Sequence, residues 1–255
     1  MINGINSREM ILEILLEIEE GEHSHVAIRN ALSKYQFLPK QDRAFITRVC
    51  EGTLEYRIQI DYIINSFSKV TVDKMKPAIR EILRSAVYQL KYMDSVPDSA
   101  VCNEAVKLAQ RKGFYNLKPF VNGVLRTIAR EMDQVRFPQK EDDLLKYLSV
   151  KYSMPEVLVT RWLEAYGEET TEKILADFLT EHPLTIRCRT YLNSKEEIIK
   201  SLESQGVHVA PAPYLSYAYS ISEFNHILAL DAFIKGKIVV QDVSSMLVAE
   251  VADPK

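Results

Sequence analysis

Glycine is scarce in this sequence and is never clustered. The 255 residues include eight glycines, and no two of them lie within three positions of each other. Phosphate-binding loops of the G-x-G-x-x-G or P-loop type need closely spaced glycines, because side chains would keep the backbone away from the ligand. We therefore expect no nucleotide-type cofactor to bind within this chain.

Cysteine is also rare, and its spacing excludes the common zinc and disulfide patterns. The three cysteines, Cys50, Cys102 and Cys188, are scattered, odd in number and form no C-x-x-C pair. Zinc sites use closely spaced pairs, and disulfide scaffolds use even numbers of cysteines. We expect three buried, unreactive thiols and no metal site in this chain, and a reducing, cytoplasmic setting.

Long apolar runs are missing as well. No stretch of about twenty apolar residues is present, which predicts that no segment spans a membrane. The first twenty residues are acidic rather than basic and lack a small-residue cleavage site, so we do not interpret them as a signal peptide.

Charge is distributed unevenly along the chain, although the net charge is only −3. Residues 23–140 contain 20 lysines and arginines against 11 acidic residues, and residues 141–255 contain 11 against 18. A basic segment in an acidic chain favours a polyanionic partner such as nucleic acid. A solvated helical surface explains the same charge equally well.

The first half of the chain has the apolar spacing of α-helices. The pattern is clearest after Pro77, where Ile79, Ile82, Leu83 and Ala86 follow the i, i+3, i+4, i+7 spacing. No stretch alternates at period two for long, which predicts an all-α bundle over residues 1–137. Residues 138–181 predict a helical linker in which Gly167 ends a helix.

The pattern changes from His182 onward. Residues 184–189 alternate and are rich in β-branched side chains, and a short helix, two more strands, a helix and a last strand follow. Ser194 and Glu197 are spaced as a helix capping box. We predict a small α+β subdomain over residues 182–236, which makes the chain mainly α overall.

Basic and aromatic side chains are the candidate binding residues. Arg187 and Arg189 are two apart on a predicted strand, so both guanidinium groups share a face that could grip phosphates or pair with acidic neighbours. Tyr214, Tyr217 and Tyr219 could stack on bases, although core and sheet-edge packing is favoured. The helical region adds a predicted rim of cations: Arg43, Arg80, Arg84, Arg111, Lys112, Lys118 and Arg126.

Two stretches resemble known families. Residues 61–130, with ILRSAVYQL, a VP followed by NEAVKLA, and FVNGVL, resemble the helical RNA-binding fold of the antitermination factor NusB. The following HPLTIRCRTYLNSKEEIIKSLESQGV and KIVVQDVSSMLVAEVADPK resemble RNA (cytosine-5)-methyltransferases of the RsmB type. That family joins a NusB-like domain to an RRM-like subdomain and then to a catalytic domain that uses S-adenosylmethionine.

The resemblance implies a function for the chain. It implies that residues 237–255 lead into a catalytic domain, and that the chain carries the part of the enzyme that binds rRNA, with 16S rRNA as the expected partner. A ribosomal or transcription protein is a second expected partner, at the bundle. Catalysis in the family uses a cysteine thiolate that attacks C6 of cytosine, and none of the three cysteines here has the family's Pro or Thr neighbour. The resemblance therefore implies that this chain contains no catalytic residue and no cofactor site. Arg189 replaces an asparagine of the family's Arg-x-Asn pattern, whereas Arg187 matches its arginine.

Two other functions stay open at this stage. A NusB-like protein could act without catalysis as an RNA-binding adaptor in antitermination or ribosome assembly. The chain could also be a helical protein-interaction module whose charge asymmetry has no function. A Gly-rich loop and a Pro-Cys pair encoded downstream would favour the methyltransferase, and a stop codon would favour the adaptor.

Overall fold

The computed structural model describes residues 6–35, 38–180, 182–191 and 193–253. The chain divides into two compact units between Leu179 and Thr180. Each unit has its own hydrophobic core, so each is described by itself.

The first unit opens with a bundle of seven α-helices among the described residues. They are α1 (Ser7–Glu19), α2 (Ser24–Lys34), α3 (Lys40–Glu55), α4 (Arg57–Phe67), α5 (Pro77–Tyr92), α6 (Asp98–Arg111) and α7 (Lys118–Glu131). Asn6 caps α1, where its side chain accepts hydrogen bonds from the backbone N–H groups of Arg8 and Glu9. The predicted all-α character of this region is confirmed.

Helix α5 occupies the centre of the bundle and packs against α1, α3, α4, α6 and α7. Its predicted apolar stripe is buried, with Ile79, Ile82, Leu83 and Val87 at most 1% exposed. Burying each such side chain contributes about 1.5–3 kcal/mol relative to exposure, so this stripe accounts for much of the stability of the bundle. Pro77 begins the helix, where its missing N–H has no helical partner to lose.

Two further helices follow the bundle within the same unit. They are α8 (Leu144–Lys151) and α9 (Glu156–Asp177), and they pack around Leu148, Val159 and Leu175. Gly167 interrupts α9 with φ 73° and ψ 174°, a conformation that residues with a Cβ rarely adopt. The predicted helix end at Gly167 is therefore confirmed as a sharp break in the backbone.

The second unit contains a four-stranded antiparallel sheet, and two of its helices share a hydrophobic core with one face of that sheet. Its elements are β1 (Leu184–Cys188), α10 (Lys195–Glu203), β2 (His208–Pro211), β3 (Ala218–Ser222), α11 (Asp231–Ile234) and β4 (Ile238–Val240). The strand order is β2-β3-β1-β4, which is the βαββαβ arrangement of ferredoxin-like folds. Ile186 and Ile221 of the sheet share a core with Ile198 and Leu202 of α10, which confirms the predicted α+β fold.

Helix α12 (Val243–Ala252) belongs to the second unit. Met246 is buried, and the Tyr217 hydroxyl before β3 donates a hydrogen bond to the Glu250 carboxylate of α12. Val248 and Val251 are 68% and 86% exposed, so one side of the helix is apolar and open to solvent. Pro254 and Lys255, the end of the expected lead-in segment, lie outside the described residues.

Candidate nucleic-acid interface

The face of the sheet opposite α10 carries small and polar side chains around Arg187. Arg187 pairs with Ala218 on β3 and with Val239 on β4, and Thr185 pairs with Ser220. Directly paired residues lie on the same face of a sheet, so these side chains surround the arginine. Arg187 is exposed and therefore accessible to a ligand approaching this face.

Arg187 is stacked on an aromatic ring. Its guanidinium carbon lies 5.7 Å from the ring centroid of Tyr217, a cation–π distance. The hydrogen bond to Glu250, together with a small contribution from burial, raises the pKa of Tyr217. The ring of Tyr217 therefore supports one face of the Arg187 guanidinium group. The edge of that group that points away from the ring can contact a phosphate.

Arg189 has different surroundings from Arg187. Strand β1 ends at Cys188, and the guanidinium of Arg189 is half-buried and donates a 3.2 Å hydrogen bond to the Gly236 carbonyl. The two guanidinium groups were expected to share one accessible face of the strand, and the structure does not show this arrangement. Arg187 faces solvent, whereas Arg189 secures the turn that precedes β4.

The three predicted stacking residues, Tyr214, Tyr217 and Tyr219, do not form a stacking platform on the sheet. Tyr219 packs in the hydrophobic core at 8% exposure, as the favoured interpretation expected. Tyr214 is 84% exposed in the loop before β3 and has a positive φ of 69°. The described outward positions of β1 and β3 hold Thr185, Arg187, Ala218 and Ser220 instead of aromatic residues.

In the bundle, three of the predicted cations lie on the hairpin formed by α6 and α7. Arg111 ends α6 and is exposed, and Lys118 begins α7. Arg126 is exposed and donates hydrogen bonds to the side chains of Asn122 on α7 and Asn103 on α6. We call Arg111, Lys118 and Arg126 the α6–α7 surface, a group of cations carried on two packed helices.

Three other predicted cations, Arg80, Arg84 and Lys112, form ion pairs with acidic residues of the bundle. Arg84 is held by both carboxylate oxygens of Asp61, at 2.7 and 2.6 Å, and by Glu81 at 2.6 Å. Its side chain is 12% exposed, so the expected solvent-facing rim does not include it. Burial raises the pKa of Glu81 even though Arg84 opposes the shift. Two carboxylates therefore neutralise this arginine within the fold.

Arg80 and Lys112 are paired in a similar way. Arg80 forms an ion pair with Glu19 and donates a hydrogen bond to the carbonyl of Val72. Lys112 lies 3.0 Å from carboxylate oxygens of both Glu9 and Glu13 on α1. These pairs join α1 to α5 and to the end of α6, which is a role in folding that the sequence pattern did not indicate.

Arg43 on α3 is the last of the predicted cations. It is half-buried, and its Nε atom is shielded from solvent without a hydrogen-bond partner among the described residues. Its role in RNA binding stays a prediction, as it does for the other predicted cations.

The three thiols are buried and poorly suited to nucleophilic chemistry. Burial raises the pKa of Cys188 to about 11, and it also raises the pKa values of Cys50 and Cys102. A thiol attacks as the thiolate, and these pKa values leave little thiolate at neutral pH. The expectation of buried cysteines is confirmed.

A cleft where α8 meets the bundle was missed by the sequence reasoning. It is lined by residues distant in sequence, including Gln59, Lys91, Phe137 and Tyr147. The only local signal was a Lys-Tyr pair at residues 146–147 that recurs at residues 151–152, which also fits an ordinary amphipathic helix. Across the described ranges, no cluster of three metal-binding side chains occurs, and no helix is long and apolar enough to cross a bilayer.

Comparison with protein families matches both units. Residues 5–130 match the NusB family, and residues 154–227 match the ferredoxin-like domain described as Methyltr_RsmF/B-like. The crystal structure of PH0851 superimposes with a TM-score of 0.71 and 24% identity, covering 99% of this chain and 56% of that chain. That likeness concerns the fold.

Curated relatives align along almost the whole chain. The Bacillus subtilis protein named Probable ribosomal RNA small subunit methyltransferase B is 32% identical over 248 residues, 97% of this chain and 55% of that protein. The Synechocystis protein of the same name is 29% identical, covering 98% and 56%. Transcription antitermination protein NusB of Dictyoglomus thermophilum is 33% identical over 130 residues, 51% of this chain and 85% of that protein. The chain thus spans about half the length of the methyltransferases it matches. It belongs to the NusB family in its helical part and is a homologue of ribosomal RNA small subunit methyltransferase B along nearly its whole length.

Proposed function

We propose that this chain is the RNA-targeting portion of an rRNA (cytosine-5)-methyltransferase that acts on 16S rRNA. The observation that carries the proposal is the presence of a NusB domain and an RsmF/B-like ferredoxin-like domain in one chain. A homologue named as a small subunit rRNA methyltransferase aligns with 97% of it. The cytoplasm, where rRNA is modified, is the proposed location.

RNA contacts in this proposal come from exposed cations on both units. Arg187, which lies against Tyr217, is exposed, as are Arg111 and Arg126 of the α6–α7 surface, and Lys118 of that surface is half-buried. Such groups bind phosphates and position an RNA without reading its sequence. Arg80, Arg84 and Lys112 contribute indirectly, because their ion pairs with acidic residues join α5 to α1 and α4, and α1 to the end of α6.

The proposed reaction needs a nucleophile and a bound S-adenosylmethionine, and in this proposal neither belongs to residues 1–255. A methyltransferase of this type needs a cysteine thiolate to attack the cytosine, and burial suppresses the thiolates of Cys50, Cys102 and Cys188. We infer that the nucleophile and the S-adenosylmethionine site belong to other residues of the full-length protein, and that residues 1–255 alone are inactive. Calorimetry is expected to detect no binding of S-adenosylmethionine to this chain, and tight binding would contradict the inference.

The activity is tested in the organism that encodes the chain. Disrupting the gene is expected to remove one 5-methylcytosine from 16S rRNA, measured by nuclease digestion and mass spectrometry. Complementation with the intact gene restores the modification. An unchanged 5-methylcytosine content in the disrupted strain would contradict the assignment.

A non-enzymatic adaptor is the second candidate. It is favoured by the 33% identity to a NusB protein over 85% of that protein's length. A protein partner bound at the bundle, ribosomal or transcriptional, belongs to this candidate and is compatible with the first. A strain that keeps its 5-methylcytosine after disruption but loses antitermination would favour the adaptor.

A further inference from the structure

A cleft of about 260 Å³ lies between the bundle, residues 137–139 and helix α8. All of its lining residues belong to the first unit. Pockets for drug-sized ligands are typically roughly 300–1,000 Å³, so this cleft suits a single ring system better than a larger molecule.

The floor of the cleft is fixed by Gln59 of α4, which is 9% exposed. Its Nε2 atom donates 3.1 Å hydrogen bonds to the carbonyls of Val150 and Lys151 at the end of α8, and its Oε1 atom accepts from the Tyr92 hydroxyl. Because both ends of the amide are engaged, the floor holds its shape without a ligand, and pre-organised sites bind with a smaller loss of entropy.

The walls of the cleft are aromatic. Phe137 stacks on Tyr62 at a centroid distance of 5.8 Å, and the Tyr62 hydroxyl donates a 2.7 Å hydrogen bond to the carbonyl of Arg136. Both contacts fix the orientation of the Phe137 ring. Tyr147 of α8 forms part of the lining together with Phe137, so the cleft contains two aromatic side chains.

One ammonium group in the cleft lacks a carboxylate partner among the described residues. The Nζ atom of Lys91 lies 5.3 Å from the ring centroid of Phe137 and 5.5 Å from that of Tyr92. Burial lowers the pKa of Lys91, and Asp133 opposes the shift from a distance. By contrast, Lys151 in the same cleft is neutralised by Glu172 at 3.0 Å. A half-buried cation without an ion pair favours an anionic ligand group.

We propose that this cleft binds one unstacked nucleotide of single-stranded RNA. The base lies among Phe137, Pro138 and Tyr147, and its phosphate contacts the ammonium of Lys91. Aromatic side chains beside a cation are the general means by which proteins hold unstacked bases and their backbone. The site rests on the proposed RNA-targeting function and specifies which segment of RNA the bundle takes: a loop or a single strand.

The test uses the whole 255-residue chain and a fluorescent 16S rRNA hairpin whose loop carries 4-thiouridine. Irradiation is expected to link the loop to a peptide that contains Phe137 or Tyr147, identified by mass spectrometry. Lys91→Met, which keeps the aliphatic stem, and Tyr147→Leu are each expected to weaken binding about tenfold. Lys91→Arg keeps the charge and is expected to retain affinity.

A matched control is Lys69→Met, which removes an exposed lysine outside the cleft. Circular dichroism melting checks that each variant folds. If the hairpin binds but crosslinks elsewhere, and Lys91→Met behaves like Lys69→Met, the nucleotide site is wrong while the proposed function stands. If the cleft binds a protein partner instead, Lys91→Met and Tyr147→Leu should both leave the RNA affinity unchanged. If the wild-type chain does not bind the hairpin, both the nucleotide site and the proposed RNA-targeting function are wrong.

Discussion

The ring of Tyr88 lies directly over Gly52, where a Cβ atom on the glycine would stand 2.1 Å from the tyrosine Cζ atom. This contact sets how closely α3 approaches α5. Tyr88 is 6% exposed and is surrounded by the rings of Tyr56 and Tyr92, so its ring cannot shift easily. Gly52→Ala is expected to lower the free energy of unfolding by about 1–3 kcal/mol, measured by urea denaturation.

Gly123→Ala is the matched control for that substitution. Gly123 lies within α7, and nothing approaches within 4 Å of its added Cβ. Replacing a helical glycine without steric conflict is expected to raise stability by about 0.5–1 kcal/mol. If Gly52→Ala and Gly123→Ala change the free energy of unfolding by the same amount and sign, the contact between Gly52 and Tyr88 is not what makes Gly52→Ala destabilising.

The ion pair between Arg84 and Asp61 is expected to stabilise the bundle. Asp61→Asn removes the charge from a bidentate contact at 12% and 21% side-chain exposure. Hydrogen bonds to charged groups contribute about 1.5–3 kcal/mol each, so we expect a loss in that range in thermal or urea unfolding.

An exposed pair gives the comparison. Glu169→Gln removes the partner of Lys173, and these side chains are 84% and 73% exposed. Solvent screening limits such pairs to about 0–1 kcal/mol, so the change should be close to zero. Equal losses in the two variants would show that burial is not what gives the Arg84 contact its strength.

The stability of the first unit should depend on pH through Glu172. Hydrogen bonds from Lys140 and Lys151 lower the pKa of this carboxyl to about 2. A depressed carboxyl pKa stabilises the fold above the unfolded value of about 4.3, and that stabilisation is lost as pH falls toward the folded value. For Glu172→Gln, the free energy of unfolding should therefore change less with pH between the folded and unfolded pKa values of Glu172 than it does for the wild type. If the free energy of unfolding of the variant depends on pH in the same way as that of the wild type, Glu172 is not paired with Lys140 and Lys151 as described.

The three thiols should resist modification in the native protein. Burial raises the pKa of Cys188 to about 11 and also raises those of Cys50 and Cys102. We expect slow reaction with a thiol reagent such as Ellman's reagent at pH 8, and rapid reaction of all three thiols in denaturant. Fast native modification of any one of them would reopen the question of a nucleophile in this chain.

RNA binding should depend on salt through the exposed cations. Each lost phosphate contact lowers the slope of log K against log salt by about 0.7–0.9. We expect such a decrease for Arg126→Ala and for Arg187→Gln. Lys173→Met, which removes a lysine paired with Glu169, should leave the slope unchanged. If the control changes the slope as much as either arginine variant does, the binding surface lies elsewhere.

Much of the fold follows from local patterns. The i, i+3, i+4, i+7 spacing from Ile79 located α5, and the glycine at Gly167 located the break in α9. These features follow from backbone geometry and apolar periodicity, which act over a few residues. The boundaries at 137 and 237 depend on packing between distant segments and stay predictions.

The candidate site was less accessible to sequence reasoning. From the sequence, Arg84 and Arg187 were both candidate RNA-binding residues. In the structure, Asp61 neutralises Arg84, whereas Arg187 is exposed and lies against the ring of Tyr217. The cleft joins Gln59, Lys91 and Tyr147, whose proximity depends on tertiary packing. Periodicity indicates which face of a helix is buried, but not which partner a charge on that face will meet.

The proposed function requires that this chain binds small-subunit rRNA. The most direct measurement is the fluorescence anisotropy of a labelled 16S rRNA hairpin titrated with the 255-residue chain at a low and a high salt concentration. We expect saturable binding at low salt that weakens steeply as salt rises. An anisotropy that stays at the free-RNA value throughout the low-salt titration would contradict it.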